Sequence, residues 1–234
     1  MRTECNTNNE SEKASPIFPY PTDPDDHCET PQVAYEDILP LLHKVAKLCK
    51  VSPSNLSIYD PYYCNGTVIK NLNSLGFPQV YNKKENCYDI WSSGNIPKFH
   101  TFLTNPPYSE DHIPKLMDFL TKDPSMDKKP WFLLMPTWVH KKDYFIKSLK
   151  QKSIQPFYLI PKKRYVYTPP KNFREKKDSD VHKKSSPFVS MWYVWGGSSK
   201  MNDTLIRSYS LDSCDLARSK SALRDLRRKG KSKT

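Results

Sequence analysis

The chain has 234 residues, with 37 Lys and Arg against 25 Asp and Glu, for a net charge of +12. This length holds one domain with a sizeable core and excludes two large ones. No stretch approaches ~18 consecutive apolar residues, so no transmembrane helix or membrane partner is expected. The first residues, Met1-Arg2-Thr3-Glu4-Cys5, lack the apolar region of a secretory signal.

Six cysteines (5, 28, 49, 64, 87, 214) form no C-x-x-C pair and no zinc spacing. Read as free thiols in a reducing compartment, they imply an intracellular protein of nucleus or cytoplasm, without a metal site. The positive charge is localised. Residues 161–184 hold nine basic and three acidic side chains, and residues 218–234 hold eight and one. The rest is near neutral, and a basic balance of this kind favours polyanion partners.

In chain order, residues 1–26 are polar and Pro-rich without periodicity, and read as a disordered arm. A helix opens at Thr30-Pro31, where Thr can cap and Pro suits the first turn. Ile38, Leu41, Leu42, Val45, Leu48 and Cys49 follow at helical spacing, and Pro40 must kink or restart this helix. Leu56-Ser57-Ile58-Tyr59-Asp60 reads as a short buried strand. It leads into Pro61-Tyr62-Tyr63-Cys64-Asn65-Gly66 and a helix over 67–75 closed by Gly76. Residues 79–82 give a second strand and 87–91 a third. Residues 99–105 form the strand before Asn105-Pro106-Pro107-Tyr108, and Ile113, Leu116, Met117 and Leu120 stripe the next helix. Residues 131–135 are the clearest buried strand, 141–152 a helix, and 156–160 and 188–195 the last two strands.

Strands alternating with helices predict an α/β fold, a mostly parallel sheet covered on both faces. The last two strands have no helix pattern between them and predict an antiparallel C-terminal hairpin edge. The expected organisation is an arm at 1–26, a domain at 27–197 containing the basic loop 161–184, and a disordered basic tail at 198–234.

Asn105-Pro106-Pro107-Tyr108 is the centre of this organisation. Two consecutive prolines lack N–H groups, so neither continues a ladder or a helix turn. A residue before proline is biased towards extended backbone. The chain therefore leaves its strand as a stiff elbow. The Asn105 carboxamide oxygen and the Pro106 carbonyl are acceptors, and Tyr108 adds a flat ring. Two acceptors beside a ring suit a planar substrate bearing an NH2 group. A plain Pro-Pro loop exit is the alternative reading of the four residues.

This elbow after an apolar strand resembles the catalytic motif of class I S-adenosylmethionine-dependent methyltransferases that act on amino nitrogens. The resemblance implies a Rossmann-like methyltransferase fold. It also implies methyl transfer to an exocyclic amino nitrogen, such as adenine N6 in RNA or DNA. Asn105, Pro106, Pro107 and Tyr108 would be catalytic, with Tyr108 stacking on the base. The stretch from Asp60 to Gly66 is similar to the family's cofactor loop, with Asp60, Tyr62 and Gly66 on the cofactor. Glu29-Thr30-Pro31 resembles the Thr-Pro segment that covers the cofactor, placing Thr30 there. Asn82 falls where an acid grips the ribose hydroxyls, and Asp89 where an acid meets the adenine amino group. By residue chemistry alone, the loop also reads as an Asx-type turn, Thr30 as a helix cap and Asp89 as a surface acid.

For the substrate, Lys162, Lys163, Arg164, Tyr165 and Tyr167 interleave cations and rings, a pattern suited to phosphate contact and base stacking. Trp138, after the central strand, is a further stacking candidate. Ordinary packing is the alternative for each ring. Two rivals to the adenine reading stand. One is a protein-glutamine methyltransferase using the same elbow on a carboxamide. The other is an inactive methyltransferase-like RNA-binding module, suggested by Asn82 in place of an acid. Without an evident recognition domain, target selection can fall to a protein partner.

Overall fold

The computed structural model describes residues 19–22, 26, 28–167 and 189–231. A seven-stranded sheet in the order β2-β1-β3-β4-β6-β5-β7 runs through it. Its strands are β1 (Ile58–Tyr59), β2 (Val80–Tyr81), β3 (Thr101–Thr104), β4 (Trp131–Pro136), β5 (Phe157–Pro161), β6 (Ser190–Trp195) and β7 (Cys214–Ala217). The pairs β1/β2, β1/β3 and β3/β4 are parallel. Strand β6 lies antiparallel between β4 and β5, and β7 pairs antiparallel with β5. The fold is thus mixed α/β with a parallel centre.

Eight helices are described: α1 (Gln32–Glu36), α2 (Leu39–Leu48), α3 (Thr67–Ser74), α4 (Cys87–Ser93), α5 (His112–Lys122), α6 (Asp143–Gln151), α7 (Ser199–Ser208) and α8 (Lys220–Lys231). Strand residues alternate between two apolar layers, as the pleat requires. Tyr59, Phe102, Trp131, Leu133 and Tyr193 pack with α4, α5, α6 and α8. Ile58, Leu103, Phe132, Leu134 and Trp192 pack with α1, α2, α3 and α7. Helices therefore cover both faces. Pro40 restarts the first helix, standing in the opening turn of α2 where its missing N–H costs nothing.

Four expectations need correction. Residues 87–91 belong to a helix, α4, not a strand; the Asn86 side chain caps it by accepting from Tyr88 N. The final hairpin is not the edge, because β6 inserts inside β5 and β7 forms the border. The tail at 198–234 is not disordered through its length: α7, β7 and α8 build onto the sheet, and Leu223 is fully buried. Gly197 allows this continuation. Its φ is +86°, and a side chain there would collide with the Lys128 carbonyl. Nor is the arm wholly free, since Tyr20 is buried in the core. Residues 168–184 of the basic loop lie outside the described residues. Among the described residues, no helix is long and apolar enough to cross a membrane.

Candidate functional site

The four parallel strands share one direction, so their carboxyl ends line one edge of the sheet. Asp60 follows β1, Asn82 follows β2, Asn105 follows β3 and Trp138 lies just beyond β4. The chain runs from β1 outward to β2, then returns to place β3 on β1's other side. Strand order therefore reverses between β1 and β3. In open α/β sheets this reversal opens the crevice where ligands bind.

Asp60 is buried at that point. Its carboxylate accepts from Thr104 Oγ1 at 2.6 Å and from Tyr62 N at 3.3 Å. Burial pushes its pKa up to about 7, against the lowering effect of those two hydrogen bonds. Thr104 thus ties the end of β3 to the end of β1. The one polar side chain pointing inward just before Asn105 was a sequence signal for this link.

Gly66 opens α3 in a left-handed conformation at φ +77°, a region glycine enters without strain. The sequence suggests that this helix start offers free N–H donors. Glu29 lies beside it, where the neighbouring groups of Cys64, Asn65 and Thr67 favour its charged form. Burial nevertheless raises its pKa. Its Oε1 is buried without a partner. Glu29 was not picked out as a site residue, although it adjoins Thr30.

Asn82 is also buried. Its Nδ2 donates to the carbonyls of Asp60 at 3.1 Å and Tyr62 at 3.3 Å, while its Oδ1 has no partner. The opposite amide orientation would set oxygen against two carbonyl oxygens, so this assignment is the favourable one. Asn82 thus holds the loop through its donor and leaves one buried acceptor.

The elbow is similarly braced. Asn105 Nδ2 donates to Thr30 Oγ1 at 3.1 Å, and the Tyr108 hydroxyl, which donates to Asn105 Oδ1, lies 2.6 Å from it. That hydroxyl also lies 3.2 Å from the Leu134 carbonyl. Thr30 does not cap α1, whose first-turn boundary is Pro31 without a side-chain cap. Among the described residues, the Pro106 carbonyl accepts no hydrogen bond.

Two arm residues reach this site without any sequence signal. The Asp26 carboxylate accepts from Tyr108 N at 2.8 Å, from Ser109 N at 3.2 Å and from the Ser109 hydroxyl. Tyr20 donates to the Tyr63 carbonyl at 3.2 Å, and its ring meets Tyr62 edge-on at 5.7 Å and His112 at 5.8 Å. Burial first, then the nearby Cys87 and Asp60 charges, hold the Tyr20 phenol well above its ordinary pKa. His112 is buried between the Pro21 carbonyl, 2.9 Å from Nε2, and the Tyr88 hydroxyl at Nδ1.

Other expected site residues fall elsewhere. Tyr62 turns inward and is buried beside Tyr20, Tyr88 and Trp91. Asp89 is exposed in the first turn of α4. Trp138 is half-buried, with the Lys142 ammonium 5.2 Å from its ring centre. Tyr165 and Tyr167 are buried and present no ring face for stacking. Their hydroxyls are 2.5 Å from Asp37 Oδ2 and Ser190 Oγ, and that of Tyr167 also meets Tyr108. Residues 164–167 alternate exposed and buried, which turns Arg164 and Val166 outward and the two rings into the core. Lys162, Lys163 and Arg164 are all exposed, and Lys162 is paired with Asp212 at 2.5 Å.

No family model matches the chain, and no curated protein is similar enough to it to count as a match.

Proposed function

We propose that the chain is an S-adenosylmethionine-dependent methyltransferase of Rossmann-like fold acting on an exocyclic amino nitrogen, adenine N6 of RNA or DNA in the first instance. One observation carries the reading. The acidic loop at Asp60 and the Asn-Pro-Pro-Tyr elbow leave adjacent strands on either side of the strand-order reversal, and Thr104 joins them at 2.6 Å. The residues fit the cofactor chemically. Two buried acceptors without partners, Glu29 Oε1 and Asn82 Oδ1, match a ligand bearing an ammonium and ribose hydroxyls. Asp60 adds a carboxylate whose charged form a cationic ligand would favour.

S-adenosylmethionine would supply the methyl group. The elbow would supply alignment. The adenine amino lone pair is delocalised into the ring, and two acceptors on its hydrogens turn that lone pair out of plane. The Asn105 oxygen keeps one lone pair beyond the Tyr108 bond, and among the described residues the Pro106 carbonyl accepts no hydrogen bond. Fixing the Asn105 amide from both ends, by Thr30 and Tyr108, preorganises this geometry. The test is labelled methyl transfer onto RNA, DNA and protein fractions, followed by nucleoside analysis. N6-methyladenosine is the expected product; label appearing only in protein glutamine would move the target to a carboxamide.

The inactive nucleic-acid-binding module has its own supporting observation. Tyr20 packs between the cofactor loop and the α4–α5 face, close to Asp60. Calorimetry with S-adenosylmethionine on the full chain and on one lacking residues 1–26 separates the readings. No heat from either at millimolar cofactor favours the inactive module.

A further inference from the structure

The cationic side chains of the ordered helices are arranged in two different ways. On α5, cations stand four residues from acids: Lys115 pairs with Asp111 at 2.9 Å and Lys122 with Asp118 at 2.9 Å. On α8 the same spacing sets cation beside cation. Lys220, Arg224 and Arg228 form one exposed column, with steps of ~6 Å along the axis. Among the described residues, none of the three has an ionic partner. Like charges at this spacing repel and weaken the helix. The helix is nevertheless formed and anchored: Leu223 is fully buried, and Ala222 and Leu226 pack on the same core layer. Ser219 helps its start, its Oγ accepting from Ala222 N at 3.2 Å. The whole helix carries six basic residues against one acid, Asp225.

We propose that the exposed face of α8, led by Lys220, Arg224 and Arg228, is a docking surface for the phosphate backbone of a nucleic acid. A polyanion along the column would relieve its self-repulsion and release counterions, the main source of sequence-independent affinity. The apolar side of the helix argues against a membrane as occupant. A membrane-surface helix needs that side free, and here it is spent on the protein's own core. The topology also begins this surface away from the elbow. Strand β7 runs antiparallel to β5 and ends with Ala217 opposite Tyr158, so α8 starts from the sheet edge away from the elbow. Nucleic acid would be held there by charge, leaving base selection to the crevice. The proposal deepens the nucleic-acid reading of the site and rests on it for the class of ligand.

The test is fluorescence anisotropy of a short labelled single-stranded RNA with the full chain across a salt series. Arg224→Gln/Arg228→Gln should bind ~10-fold more weakly, with a salt slope shallower by ~0.7 for each lost phosphate contact. Its thermal unfolding should be unchanged or higher, because repulsion is removed. Lys220→Gln/Arg224→Gln, which spares the end of the helix, should move affinity and slope in the same direction. Parent affinity and slope in both variants would overturn the proposal. So would loss of binding to phosphatidylserine vesicles with RNA binding intact. Methyl transfer is not read in this experiment. A chain that transfers no methyl yet shows α8-dependent RNA binding would sink the enzyme reading alone.

Discussion

Asn105, Asp60 and Asn82 each brace the fold as well as serving the proposed site, and that changes what their substitution should do. Asn105→Ala should abolish methyl transfer. It also removes the bridge between Thr30 and Tyr108, so stability should fall by ~1–3 kcal/mol. Single-turnover transfer and a melting curve on the same sample check both effects. Turnover close to the parent's would rule out the proposed role. The Asp60 carboxyl stays protonated in the folded chain up to about pH 7, whereas in the unfolded chain it ionises near its ordinary value of 3.8. Between those limits the folded state binds the extra proton, so this group makes stability fall as pH rises from 3.8 to about 7. Denaturant titrations across that window should show the fall, and Asp60→Asn should remove it. A cationic cofactor should release this proton on binding, which calorimetry in buffers of different ionisation heat detects. At Asn82, replacement of a missing ribose acid suggests that Asn82→Asp would improve cofactor binding. The structure reverses that expectation. The substitution removes both donors to the Asp60 and Tyr62 carbonyls and buries a carboxylate beside two carbonyl oxygens. Weaker cofactor binding and a lower Tm are expected.

At the scale of elements, the arm and the elbow act together. Asp26 accepts the N–H groups of Tyr108 and Ser109, which lie ahead of α5. Asp26→Ala should therefore loosen the elbow and reduce kcat, whereas Asp26→Asn keeps an acceptor and should recover most of it. Equal loss in both variants would point to charge and not to the hydrogen bonds. Tyr20→Ala deletes a buried ring and should cost ~3–5 kcal/mol. If the arm only trails from the surface, the melting curve will not move. The basic stretch after β5 divides likewise. Lys162 already faces Asp212, so Lys162→Gln should leave the salt slope of RNA binding nearly unchanged. Neutralising exposed Lys163 and Arg164 together should flatten it by up to ~0.7 per phosphate contact on a single strand.

For the molecule as a whole, residues 198–231 decide whether the sheet has a protected border. Strand β7 satisfies the outer edge of β5 across four register pairs, and α7 and α8 close one apolar layer each. Truncation after Gly197 should expose that edge and the buried Leu205 and Leu223 contacts, giving loss of cooperative unfolding and aggregation. A disordered tail would instead be removable without a change in Tm.

Strands β1 to β6, the restarted first helix and the position of both special turns were legible from the chain alone, whereas β7 was not. Pro-Pro after a strand, glycine before a helix and alternating apolar residues each impose local backbone geometry, and β1, β3, β4 and β6 follow from them. Local rules could not rank Cys87–Ser93, where a short apolar run fits strand or helix and the Asn86 cap decided it. They also could not show that Tyr165 and Tyr167 point inward, since a cation–ring alternation looks alike whether its rings meet a base or a core. The pairing of Thr104 with Asp60, Glu29 with the start of α3, and Asp26 with the elbow links residues distant in the chain. Such partners meet only after the sheet has set strand order, because side-chain type fixes what a group can donate or accept, while topology alone fixes which group stands within reach.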